Sequence, residues 1–145
     1  MRFIHQVEEV KKRLLSEELS KEAKVRLRWF IEDVSDLVYN TAILCNTLEK
    51  MDTLELFRNP RSLVYKKAEK DVDSSITALD LRMFGISQQL FKAKPPPLLE
   101  EARAFLSKIK EAKKDKRYSE ALLACWDMQR AIYEFSTTDF NTIEL

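Results

Sequence analysis

One glycine, Gly85, and one histidine, His5, are all that the 145 residues contain of those two types. A single glycine leaves almost no site for left-handed turns and none for a glycine-rich phosphate loop. A single histidine excludes His-based dyads and multi-histidine metal sites within one chain. Cysteine is nearly as scarce: Cys45 and Cys125, widely separated in sequence, fit neither a disulfide framework nor a thiolate metal site, and the chain is expected in a reducing cytoplasm. Charge of one sign is also lacking, because 25 basic side chains face 24 acidic ones for a net +1. No broad basic field is expected to hold nucleic acid. Finally, no apolar run approaches the ~18 residues of a membrane span. The opening "MRFIHQVEEVKKRLL" puts Glu8 and Glu9 where an export signal needs apolar residues, so neither membrane contact nor export is expected.

What is present is helical periodicity in a length suited to one domain. Phe3, Val7, Val10 and Leu14 predict a first helix over 2–18. Ala23, Leu27, Phe30, Val34, Leu37, Thr41, Leu44, Leu48 and Met51 step by three and four without a slip, and Ile31, Val38 and Cys45 widen this seam, as in a central helix with neighbours on two flanks. "MDTLELFRNPRS" is expected to interrupt it, since the residue before a proline disfavours helix. Tyr65, Ala68, Val72, Ile76, Leu79, Met83, Ile86 and Leu90 predict a helix over 61–92, with Gly85 opposite its seam as a place for a bend or a close backbone contact. Three prolines in "KAKPPPLLEE" end that segment, and two shorter helices follow over 98–114 and 118–136. The expected fold is all-α: an antiparallel bundle of about five helices, two long and central with three shorter ones against them. It forms a single domain over 1–136, and a loosely held tail spans 137–145.

"RWFIEDVSDLVYN" sets Glu32, Asp33 and Asp36 into the central helix. On a helical wheel Asp33 and Asp36 share a flank, one turn apart, and Glu32 points nearly opposite the core. "EDVSDLVYN" resembles the second acidic motif of the all-α nucleotide pyrophosphohydrolases of the MazG kind, in which E-x-x-D on a bundle helix helps hold magnesium on a nucleoside triphosphate. The resemblance implies magnesium as cofactor and Asp33 and Asp36 as ligands; magnesium needs oxygen donors in octahedral array. It covers about a dozen residues. The chain departs from the pattern twice: Asp33-x-x-Asp36 stands in place of E-x-x-D, and Gln6, Glu8, Glu9, Glu17 and Glu18 form no E-x-x-E pair. The missing carboxylates would have to come from Glu8 or Glu9, or from a second subunit. Such an acid pair is equally the wet or interhelical side of a helix, which is the reading adopted.

A second resemblance lies in "KKDKRYSEALLACWDMQRAIYEF", where Tyr118, Ala121, Cys125 and Ala131 are similar to the turn and second helix of a tetratricopeptide repeat. The first-helix tryptophan and glycine are missing and no second copy appears at ~34-residue spacing, so an ordinary αα-hairpin is expected. The run "SKIKEAKKDKR" holds Lys108, Lys110, Lys113, Lys114, Lys116 and Arg117 against Glu111 and Asp115. Cations there complement a helix C-terminus; the same run is the candidate surface for an acidic protein or phosphate partner. With no catalytic residues assigned and no cofactor expected, the sequence favours a non-catalytic helical interaction module or accessory subunit. Its partner would be another protein or a second copy, and the magnesium-dependent pyrophosphohydrolase stands as the alternative.

Overall fold

The computed structural model describes residues 20–56, 63–90 and 97–137, together with Glu8, Lys11, Lys12 and Leu15. Four α-helices run in chain order: α1 (Lys21–Leu56), α2 (Leu63–Leu90), α3 (Pro97–Lys114) and α4 (Tyr118–Ser136). The described residues form four helices rather than the expected five or so. Of the helix expected over 2–18, Glu8, Lys11 and Lys12 are helical and the Leu15 N–H donates to the Lys11 carbonyl at 3.2 Å. Its remaining residues lie outside the described set, as does the tail from 138 onward.

Each helix end has a local cause. Ser20 caps α1, its Oγ accepting the Ala23 N–H at 3.1 Å. α1 reaches further into the stretch expected to interrupt it, continuing through "DTLEL" to 56 because nothing there opposes helix. Met51 is fully buried and Leu54 packs on the core. Pro97 opens α3, where its missing N–H has no partner to lose. Between α3 and α4, Lys116 takes the left-handed position with φ 57°. The Arg117 N–H reaches back to the Ala112 carbonyl at 2.8 Å, the six-to-one bond of a Schellman turn. Glycine usually fills that position, and this chain spends its one glycine elsewhere. A Cβ added at Gly85 would meet nothing within 4 Å, so Gly85 is neither a close backbone contact nor a required cavity.

The helices form a ring. α1 packs on α2 and α4, α3 packs on α4, and α2 touches α3 only sparsely. Neighbours are antiparallel: Glu55 at the end of α1 accepts the Tyr65 hydroxyl near the start of α2, and Asp33 near the other end of α1 meets Arg82. Along α4, Ser119 donates to Asp52, Cys125 faces Cys45, and Phe135 meets Phe30 edge-on at 6.1 Å. The seams predicted for α1 and α2 line the core, while Phe3, Val7, Val10 and Leu14 lie outside the described residues. Leu27, Phe30, Val34, Leu37, Leu44 and Leu48 of α1 and Val72, Leu79 and Ile86 of α2 are fully buried. Thr41 sits among them without penalty, its hydroxyl donating to the Leu37 carbonyl at 2.7 Å. The width of the α1 seam is taken up by two neighbours, with Cys45 buried and Ile31 and Val38 packed against the core. α1, at 36 residues, runs about 54 Å; α3 and α4, at 18 and 19, reach about half that. No described helix is long and apolar enough to cross a membrane.

Candidate functional site

Asp33 and Asp36 do converge, and what they converge on is Arg82 of α2. Its Nη1 donates to Asp33 Oδ1 at 3.0 Å and its Nη2 pairs with Asp36 Oδ2 at 2.8 Å. One guanidinium thus spans two carboxylates one helical turn apart, a geometry that its planar fork suits. The Asp33 side chain is 15% exposed and that of Asp36 46%. Burial pushes the Asp33 carboxyl above its ordinary value; Arg82 pulls the other way without overcoming it, and Asp36 and Glu32 add to the rise. A cation entering between these carboxylates would have to displace Arg82. Of the carboxylates proposed to complete a metal site, Glu8 pairs with Lys11 at 3.1 Å and Glu9 lies outside the described residues. Among the described residues no three His, Cys, Asp or Glu side chains are grouped so as to hold a metal ion.

The six basic residues of the α3 run and its turn do not form one surface. Lys110 pairs with Asp80 of α2 and Lys113 with Asp73, two turns away on the same helix, and with Lys114 they line a cleft of about 430 Å³ between α2 and α3. Lys108 turns elsewhere, its ammonium 5.3 Å from the Phe105 ring centroid, and it lines a second, smaller groove with Arg117, Glu111 and Glu120. Arg117 pairs with Asp115 at 3.2 Å and with Glu120. Lys116 is exposed in the turn. Four of the six cations are therefore held by carboxylates or an aromatic ring of the same chain.

A surface that sequence reasoning missed runs along the outer side of α4. Leu123, Trp126 and Tyr133 are 57%, 51% and 48% exposed, and with Arg130 they recur at steps of three, four and three, one helical stripe. The stripe borders the α1–α4 seam: Gln129, whose amide oxygen lies 3.9 Å from Cys45 Sγ of α1, donates through Nε2 to the Tyr133 hydroxyl at 3.5 Å. The signal was present in the spacing, but "LLACWDMQRAIYEF" is apolar on so wide an arc that its buried and exposed thirds cannot be separated before the neighbours are known.

The chain matches no protein-family model, no curated protein and no solved structure.

Proposed function

We propose that this chain is a non-catalytic helical interaction module or accessory subunit, whose partner is another protein chain or a second copy of itself. The observation that carries the reading is the exposed stripe Leu123–Trp126–Tyr133 with Arg130 in its midst. Tryptophan, tyrosine and arginine are the residues that anchor protein interfaces, because they supply large desolvatable area together with a polar handle. Supporting it, both charge clusters that could have served chemistry are already matched from within: Asp33 and Asp36 by Arg82, Lys110 and Lys113 by Asp80 and Asp73.

The stripe is tested by placing a photoreactive phenylalanine analogue at position 126 and irradiating the intact protein in extract of its own cells and, separately, alone over a range of concentrations. A discrete cross-linked product is expected, either with another chain or between copies. Excess unlabelled parent should compete it away, and excess Leu123→Glu, Tyr133→Ser should not. Equal competition by both, or no product in either setting, overturns the reading. The pyrophosphohydrolase alternative is separated by calorimetric titration of magnesium with a nonhydrolysable nucleotide, where silence is expected. Magnesium-dependent nucleotide binding that disappears in the Asp33→Asn, Asp36→Asn variant would reverse the assignment.

A further inference from the structure

The two cysteines that sequence separation set apart are brought together by the fold. Cys45 of α1 and Cys125 of α4 face each other across the seam with their sulfurs 2.7 Å apart, both as free thiols. Chain length and spacing do not reveal this; the antiparallel register of α1 and α4 does, since Ser119–Asp52 and Phe135–Phe30 contacts bracket the pair from either side. Closing to a disulfide bond of about 2.05 Å requires well under one ångström of movement. Small neighbours assist: Ala121 is fully buried one turn before Cys125, and Ala124 stands immediately before it, packed against the core.

We propose that Cys45 and Cys125 are a redox-active pair that a hydroperoxide oxidises to an intrachain disulfide joining α1 to α4. The two thiols differ in access and chemistry. Cys45 is 6% exposed, enough to admit only a small oxidant, whereas Cys125 is 0% exposed. The contact between the two sulfurs lowers the pKa of Cys45, and the same contact together with burial raises that of Cys125. Cys45 is therefore the attacking sulfur and Cys125 the resolving one. The Cys45 thiolate attacks the distal oxygen of the hydroperoxide, the S–O bond forms as the O–O bond breaks, and the leaving alkoxide or hydroxide takes up the proton released by Cys45. Cys125 then attacks the sulfenic sulfur. The S–S bond forms, the S–O bond breaks, and the hydroxide leaves as water with the Cys125 proton. Two thiols and one hydroperoxide give one disulfide, one alcohol (water, for hydrogen peroxide) and one water. Two electrons pass from sulfur to oxygen, and a dithiol reductant reverses the change.

The consequence is a staple between the α1–α2 hairpin and the α3–α4 hairpin, spanning 80 residues of sequence. The test uses the full chain treated with a small excess of hydrogen peroxide, then denatured, alkylated and weighed. Free thiols are expected to fall from two to none, with a mass lower by two hydrogens, a peptide pair joining residues 45 and 125, monomer mobility on a nonreducing gel and full reversal by dithiothreitol. The thermal midpoint should rise on oxidation and return on reduction. In Cys125→Ala a dimedone adduct should accumulate at position 45, and in Cys45→Ala position 125 should stay unmodified. Two thiols persisting in the parent, oxygen added to Cys45 with Cys125 left free, or disulfides between chains would each overturn the proposal. The peptide map of the parent decides by itself, independently of whether either variant folds.

Discussion

Two seams join the hairpins of this ring, and they are built on opposite principles. The α1–α4 seam is apolar and close: Phe30 and Phe135 meet edge-on, fully or almost fully buried, and the cysteine pair sits between that contact and the Ser119–Asp52 bond. The α2–α3 seam is wet: little backbone comes together there, and a cleft of about 430 Å³ is spanned by Lys110–Asp80 and Lys113–Asp73. Apolar burial contributes about 25 cal/mol per Å², while exposed ion pairs contribute roughly 0–1 kcal/mol each. The hairpins are held together on one side and only aligned on the other.

Breaking the apolar seam should give the largest effect. Phe135→Ala is expected to cost about 3–5 kcal/mol in denaturant unfolding, because the Phe30 ring loses its edge partner and the void cannot fill with water. A loss under 1 kcal/mol would show that α4 is not seated as described. Leu37→Ala and Leu79→Ala, each fully buried mid-helix in the first hairpin, should cost about 2–5 kcal/mol, against a near-zero effect of the exposed control Glu49→Ala. On the wet seam, Lys110→Ala with Lys113→Ala should cost about 1 kcal/mol or less at low salt. The difference should vanish near 1 M salt, where screening acts over about 3 Å; a large, salt-independent loss would mean that the seam is packed after all. The smallest effect tests the interior of the first hairpin. Burial raises the Asp33 pKa above 3.8, so ionising Asp33 is harder in the fold than in the unfolded chain. Its favourable contribution is full when protonated and is lost as pH rises through the folded pKa. Asp33→Asn should therefore gain on the parent as pH rises above the ordinary aspartate range, by chemical denaturation at each pH. If the parent gains instead, Arg82 outweighs burial.

Much of the helical layout was legible in one dimension. Pro97 and Tyr118 mark starts that the periodicity also marks, and the α1 residues that step by three and four from Leu27 to Met51 are all buried, with Ile31 and Val38 of the widened seam partly so. The end of α1 was misplaced because Asn59-Pro60 restrains the residue before the proline, not the five residues after Met51. The sites were less legible because their chemistry is a matter of register between helices. Nothing in "EDVSDLVYN" announces Arg82, forty-six residues beyond Asp36, and nothing in the lysine run announces Asp73 and Asp80. The cysteines show the same limit: each periodicity places its own cysteine inward, and only the pairing of α1 with α4 sets one against the other.

The order of contacts around the ring also carries a kinetic meaning. Each hairpin joins helices adjacent in sequence and closes cheaply, whereas the α1–α4 seam unites residues 80 positions apart and must await both. The transition state for folding should then hold the hairpins largely formed and the ring still open. Phe135→Ala should act mainly by accelerating unfolding, with little change in the folding rate, while Leu79→Ala should slow folding. The late seam is the one across which the thiols face each other, so a bond made there would lengthen the lifetime of the finished ring rather than hasten its assembly.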